Sequence, residues 1–470
     1  MKERKREMLG ITGKEILEAT SGRLINGKSD IPIFHISFDS RKIEENTLYV
    51  PIIGEKVDGH EFIKGAFKNG ACATLIDKTH SKNFSIFPEG EDRLWIEVDD
   101  TKKALQTIGA YYRKQLSLPI IGVTGSVGKT TTRAMIACAL SAGLSVYQTK
   151  GNQNSQVGVP VMLTEIEKEQ IAVLEMGMSE FGEMERLTAM VHPDMVVITC
   201  IGVAHIEQLK TKENICKEKM AITKGMKKEG VLLLNGDDEL LREQRGKVEQ
   251  KVYYFGTAKD CDFRAENIRI VDGKAVFEAV YEKERVSVFL SMPGIHNVVN
   301  AMAALGCAHL SGVSMKEAAE KLSHFEGIKM RQQVYELDGY TIIDDSYNAN
   351  PDSMKAGIRV LVEYPKKGRK IAVLGDMLEL GEKEKEYHRE VGDFAASCGV
   401  DVLITFGELS LEMKRAYEKV QKGRGIAIHF RDREEMIEYV RGNLEKGDVI
   451  LCKGSRGMAL NQVAEALLKK

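Results

Sequence analysis

The chain has 470 residues, 43% hydrophobic and 29% charged, which is too long for one compact core and too apolar for disorder. Its 67 Lys and Arg against 69 Asp and Glu leave a formal charge of −2, so no basic excess exists to neutralise a phosphate backbone, and nucleic acid is not an expected partner. No run of roughly 18 apolar residues offers a membrane span, and MKERKREMLG has no apolar stretch behind its charged start, so a cytoplasmic protein of two or three domains is expected.

In chain order, ISFDS, TLYVPIIG, ATLI and LWIEV read as short strands, with a helix beginning near His60, and predict a small α/β module over 1–98. TKKALQTIGAYYRKQL then reads as a connecting helix. From Ile121, the runs IIGVTG, IAVLEMG, MVVITCIG and VLLLNGD alternate with helical stretches, the rhythm of a parallel sheet covered by helices. Between Val252 and Leu290, β-branched and aromatic residues around Asp272-Gly273 predict an antiparallel ribbon appended to that sheet. GIHNVVNAMAALGCAHL resumes helical spacing and closes a central unit of 99–326. TIIDD, IAVLGD, VLITFG and DVILCKG, separated by Glu- and Lys-rich helical segments, mark a further α/β unit, 327–470. The eight cysteines form no CxxC pair and no metal-ligand spacing, and read as reduced and mostly buried.

The strongest chemical signal is IIGVTGSVGKTTT, where a buried strand runs through a Gly-rich turn into a helix starting at Gly128. Gly125 and Gly128 let backbone N–H groups turn around phosphate oxygens, Lys129 neutralises β/γ charge, and Thr130 is a magnesium ligand by type. The match to G-x-x-x-x-G-K-[ST] is imperfect, since Val123 holds the first position and glycines stand at 122 and 125. Glu175 and His205 end other strands of the same unit, where ligands bind parallel sheets. Glu175 suits a hard cation opposite Thr130. His205 taken alone reads as a partly buried histidine, and Lys219, in the lysine-crowded KENICKEKMAI, as a solvated helical lysine. Asn297 and Asn300 share one helix face, as a pair of amides facing a purine edge or as a cap and a tolerated Asn. TIIDDSYNANPDSM puts two aspartates and a polar run behind a strand, more than the Asn350-Pro351 turn requires, and reads as a ligand-facing loop.

This constellation resembles the Mur ligases, ATP-dependent amide-bond formers of peptidoglycan synthesis, and the resemblance spans nearly all of the chain. TGSVGKTTT is similar to the family's ATP loop, which makes Thr124, Gly125, Ser126, Val127, Gly128, Lys129, Thr130 and Thr131 ATP contacts by resemblance. LEMG supplies the acidic metal residue at Glu175, AHIE the histidine at His205, and KEKMAI a lysine at Lys219 that is often carbamylated in the family. With Lys129 these three are the implied catalytic residues, and Thr130, Glu175, His205 and carbamylated Lys219 the implied Mg2+ ligands. HNVVNA resembles the adenine segment, so Asn297 and Asn300 face the base, while Arg331 and Asp345 reach ATP from the C-terminal unit.

The implied architecture is α/β in three domains: a small UDP-binding domain, a central P-loop parallel-sheet ATPase domain and a Rossmann-like C-terminal domain. The segments SFDSRKIEENTLYVPIIGEKVDGHEFI, DDSYNANPDSM and VLGDMLELGEKEKEYHREVG imply UDP-N-acetylmuramoyl-tripeptide and D-alanyl-D-alanine as partners. Substrate contacts by resemblance are Ser40, Arg41, Asn152, Asn154, Tyr347, Asn348 and Asn350, whereas KGNQNSQVGVP has Ser155 where a second adjacent asparagine is the family pattern. The implied reaction passes through an acyl phosphate, in a monomer whose C-terminal domain closes about a hinge near Gly327. Two rivals are a folylpolyglutamate synthase-like ligase, against which residues 35–76 and DSYNANP speak, and an ATP-binding regulator without catalysis.

Overall fold

The computed structural model describes residues 10–82, 93–421, 423 and 425–469, so most of the charged N-terminal start lies outside the described residues. Among the described residues the strands form three main sheets and a two-stranded pair, Ile11–Thr12 with Pro32–Ile33. The first sheet holds Arg23–Asn26, Leu94–Val98, Ala71–Asp77, Thr47–Tyr49 and His35–Ser37 in that spatial order, parallel except at Arg23–Asn26.

The second sheet has nine strands, with Ile120–Thr124 between Met195–Ile198 and Ile171–Glu175. Strand order reverses beside Ile120–Thr124, because the chain next visits the Val146–Gln148 side and only later the Met195–Ile198 side. A crevice opens at the carboxyl ends of strands at such a reversal. The expected ribbon is shorter than its sequence pattern suggests. Lys251–Gly256 pairs in parallel with Val231–Asn235 and belongs to the parallel part, and the antiparallel meander is Phe263–Val271, Lys274–Tyr281 and Glu284–Leu290. Its first turn is Asp272-Gly273, both at positive φ (+50° and +72°), which suits the twist of a tight hairpin.

The third sheet runs Gln333–Glu336, Thr341–Asp344, Val449–Lys453, Lys370–Gly375, Val402–Phe406, Ile426–Phe430, antiparallel only at its first pair. Helices cover both faces of it, so apolar residues on both sides of the parallel strands are buried in separate clusters.

The connecting helix, Thr101–Gln115, joins the first two units through a shared core. It buries Ala104, Leu105, Ile108 and Tyr112, and the Tyr112 hydroxyl donates to Ile166 O at 3.1 Å. Helix Ile295–Leu310 is buried from Asn297 to Ala308 and packs beside the helix Lys129–Leu140 on the opposite face of the central sheet. Among the described residues no helix is long and apolar enough to cross a membrane.

Candidate active site

Strand Ile120–Thr124 ends at Gly125, whose φ of +146° and whose approach to Thr199 exclude a side chain, since a Cβ would stand 1.9 Å from Thr199 Oγ1. Gly128 (φ +84°) then turns the chain into helix Lys129–Leu140. No side chain caps that helix, and its first residues, Lys129, Thr130 and Thr131, line a cavity of about 1060 Å³. An uncapped helix N-terminus on a cavity wall is an anion site. Lys129 Nζ folds back to donate to Gly125 O at 2.7 Å, and burial pushes the ammonium below its ordinary range while Glu175 pulls it up. An arriving phosphate offers this lysine the counter-charge that burial denies it.

Glu175 ends its strand opposite Val123 and is 1% exposed. Its Oε1 accepts from Asn154 Nδ2 at 2.8 Å, but Oε2 has no hydrogen bond, and Arg133 Nε at 3.8 Å is too far to donate one. A buried carboxylate oxygen without a partner is costly. A hard cation beside Thr130 satisfies it, so these side chains fit magnesium.

The loop after Met195–Ile198 wraps the phosphate loop: Thr199 Oγ1 donates to Val127 O, and Ser126 N to Cys200 O at 2.9 Å. It ends at His205, held at φ +63°, with Nδ1 3.3 Å from Glu379 Oε2. Lys219 corrects the reading as a solvated lysine. On helix Lys212–Met220 it is 1% exposed, and burial, reinforced by nearby Lys129, pushes its amine well below its ordinary range. It stands behind the cavity wall, which Cys200 and Lys129 line.

Asn297 and Asn300 both border the cavity. Asn300 Oδ1 accepts from Thr132 Oγ1 at 3.0 Å, its Nδ2 donates to Asn297 Oδ1 at 3.4 Å, and Asn297 Nδ2 donates to Pro293 O at 2.7 Å. The opposite wall comes from the segment leading into the third sheet and from the loop and strand end at its carboxyl edge. Arg331 stacks on the Tyr347 ring, 4.2 Å from its centroid. Asp345 pairs with Lys453 at 2.7 Å, and Lys453 Nζ also donates to Asn348 O at 3.0 Å. Asn350 borders the cavity too, but its Oδ1 caps helix Pro351–Glu363 by accepting from Ser353 N at 2.9 Å.

Asn152 borders both this cavity and a second one of about 330 Å³, which lies between residues 34–39 of the first unit and 150–165 of the central one. Ser40 and Arg41 border neither; the Arg41 guanidinium instead pairs with Asp39 at 2.8 Å, and Asp39 lines the second cavity. Thr124 and Gly125 lie beneath the main cavity rather than on its wall. Arg133, Thr199, Glu379 and Lys453 escape the sequence reading. Glu379 and Lys453 do fall in strand-end strings with the same polar signature as DDSYNANP, the one cue that points to them.

Asp58, His60 and His80 also meet, with Asp58 2.7 Å from His60 Nδ1 and 2.8 Å from His80 Nε2. His60 Nε2 accepts from Asp77 N at 3.2 Å, so its proton sits on Nδ1 toward Asp58 and the cluster is satisfied without a cation.

Three family models match the chain: "Mur ligase family, catalytic domain" over 32–113, "Mur ligase middle domain" over 123–308 and "Mur ligase, glutamate ligase domain" over 330–456. A Bacillus subtilis UDP-N-acetylmuramoyl-tripeptide--D-alanyl-D-alanine ligase is 36% identical over 98% of this chain and 99% of its own length. Its Escherichia coli counterpart is 30% identical with the same coverage. Among solved structures, MurF from Acinetobacter baumannii superposes with a TM-score of 0.87 at 29% identity, covering 99% of this chain and 100% of that one. MurF ligase from Thermotoga maritima in complex with ADP superposes at 0.81 and 28% identity, covering 93% and 97%.

Proposed function

The chain belongs to the Mur ligase family, and from that premise we infer that it is an ATP-dependent, ADP-forming ligase joining D-alanyl-D-alanine to UDP-N-acetylmuramoyl-tripeptide in peptidoglycan synthesis. The observation that carries this reading is one cavity where the Gly-Lys-Thr loop, buried Glu175 with its unbonded oxygen, and His205 meet Arg331 and Asp345 from the last unit.

A carboxylate does not react with an amine until its oxygen becomes a leaving group. The tripeptide's terminal carboxylate attacks the γ-phosphorus of ATP, giving an acyl phosphate and ADP; the dipeptide amine then attacks the acyl carbon and phosphate departs. The protein's part in phosphoryl transfer is positioning and charge stabilisation. Lys129 and the uncapped amides of the first helical turn hold the phosphates, and Asn297 and Asn300 take the base. Arg331 and Asp345 complete the nucleotide contacts from the opposite wall. Thr130, Glu175, His205 and, once carbamylated, Lys219 would hold magnesium, which would neutralise charge on the phosphoryl oxygens. The low basicity that burial gives Lys219 favours the neutral amine that reacts with carbon dioxide. The attacking α-amine has an ordinary pKa of about 7.7–8.0 and is partly neutral at pH 7, so no dedicated base is invoked.

Residues 1–98 serve as the UDP-sugar domain, 99–326 as the ATP domain and 327–470 as the domain receiving the dipeptide. The second cavity, which shares Asn152 with the first, suits the nucleotide-sugar end of the acceptor; Ser40 and Arg41 do not line it, and Arg41 would reach the acceptor only by leaving Asp39, which does, while Asn154, Tyr347, Asn348 and Asn350 lie nearer the reacting end. The protein acts in the cytoplasm as a monomer.

Phosphate release from the purified protein, with ATP, magnesium, D-alanyl-D-alanine and UDP-N-acetylmuramoyl-tripeptide each omitted in turn, tests this function. Release requiring all four is the expected result, and the lysine and diaminopimelate forms of the tripeptide, compared side by side, identify the acceptor. ATP binding without release under any combination overturns the reading.

A further inference from the structure

His205 stands at the end of a loop with two neighbours. On one side, residues 199–202 carry the phosphate loop through Thr199 to Val127 O, Cys200 O from Ser126 N, and Gly202 O from Ser126 Oγ at 3.4 Å. On the other side the loop meets the last unit. Asp352 Oδ2 accepts from Val203 N at 3.2 Å, Glu379 Oε2 lies 3.3 Å from His205 Nδ1 as an ion-pair neighbour out of hydrogen-bond alignment, and a Cβ on Gly381 would stand 3.3 Å from Glu207 Cα.

Glu379 is delivered by a rigid loop. Asp376, just past strand Lys370–Gly375, accepts from the backbone N–H of Glu408, Leu409 and Ser410 at 2.9, 3.2 and 2.6 Å. Met377 N donates to His388 Nε2 at 3.0 Å, and Leu378 N to Ser455 Oγ at 2.9 Å. Glu379 itself sits at φ +63°, a left-handed conformation that a glutamate does not favour, as is His205 at φ +63°. Two non-glycine residues held in that region and facing each other across a domain boundary point to a geometry that their surroundings impose.

We propose that Glu379 is a positioning residue for His205: the Asp376–Gly381 loop fixes the histidine and its loop only when the last domain is docked, and so couples docking to completion of the phosphate site. The coupling runs from Glu379 to His205 and back along that loop to Gly202, Cys200 and Thr199, which hold Ser126 and Val127 of the phosphate loop. It rests on the ligase reading for its bearing on turnover, but not for its structural content. Glu379 does not border the main cavity, whereas His205 does.

The test combines kinetics with amide hydrogen exchange on Glu379→Ala and Glu379→Gln, using the full chain with magnesium and ADP. Expected in Glu379→Ala is a kcat about 10- to 100-fold lower with the KM for ATP within about twofold, because a misplaced group costs rate rather than ground-state affinity. Amides of 203–209 should exchange at least about fivefold faster while those of 129–140 keep their protection. Glu379→Gln, which keeps a side chain of the same reach and an oxygen beside the ring, should restore most of both. Unchanged exchange at 203–209 overturns the proposal whatever kcat does, and faster exchange with unchanged kcat overturns the coupling. Exchange is read without turnover, so absence of ligase activity in the unsubstituted protein speaks only against the function.

Discussion

Lys129, half-buried on the cavity wall, and Lys219, fully buried behind it, both have depressed basicity, but their positions suit different tasks. Lys129 borders the cavity and already donates to a loop carbonyl, so a phosphate needs only to displace that bond. Lys129→Ala should lower kcat by about 10³-fold or more, the size of loss when a preorganised charge at a transferring phosphoryl group is removed. Thermal unfolding of the same variant should show a midpoint no lower than that of the parent, because the substitution also removes a desolvated cation. Phosphate release and a melting curve check the two halves separately. Lys129 was legible in the sequence because its meaning is local: a glycine before it, threonines after it and a strand upstream. Lys219 was not, because in KENICKEKM charges stand on every side, and only tertiary packing decides which lysine goes inside. Glu379 and Lys453 were hidden for a related reason, since their partners His205 and Asp345 lie 174 and 108 residues away.

At the scale of elements, parallel strands were readable as apolar runs, while the extent of the antiparallel meander was not. Lys251–Gly256 has the same β-branched and aromatic make-up as the strands after it, but its partner in the sheet, Val231–Asn235, runs parallel to it. The Asp376–Gly381 loop gives a pH dependence whose sign follows from a tautomer. His388 is fully buried; its Nδ1 faces Glu384 O at 2.6 Å and must donate, so Nε2 is the acceptor for Met377 N. Burial holds its pKa below the ordinary histidine value, with the Glu384 carbonyl acting the other way. The unfolded chain therefore takes up this proton near pH 6.5 and the folded chain only lower, so the contribution to stability is present above about 6.5 and is lost as pH falls toward the folded value. Chemical denaturation at pH 7.5, 6.5 and 5.5 should show this as a slope of at most about 1.4 kcal/mol per pH unit, absent in His388→Gln. An identical slope in the variant rejects the assignment.

Taken as a whole, the molecule is two units that share one apolar core and a third whose apolar cores are its own. A common apolar core runs from the first sheet through helix Thr101–Gln115 into the central one, whereas the last unit follows a linker with Gly327, Met330 and Gln332 at φ +86°, +62° and +53°. Left-handed backbone at Met330 and Gln332 costs about 1–2 kcal/mol each, and polar contacts such as His296 Nε2 with Gln332 Oε1 at 2.7 Å hold the linker in place. Interfaces of this kind allow the domains to move. X-ray scattering with and without a non-hydrolysable ATP analogue and the UDP-linked acceptor should show a smaller radius of gyration when both are bound. No change on binding contradicts a hinge at Gly327.

The hydrogen bond from Thr132 to Asn300 joins residues 168 positions apart. At a synthesis rate of about 5–20 residues per second, the phosphate loop leaves the ribosome roughly 10–30 s before the helix that braces it. During that interval the phosphate loop stands without the Asn297 and Asn300 side of its cavity. A ligand of the finished cavity therefore meets, until then, a wall that lacks Asn297, Asn300 and every later residue that lines it.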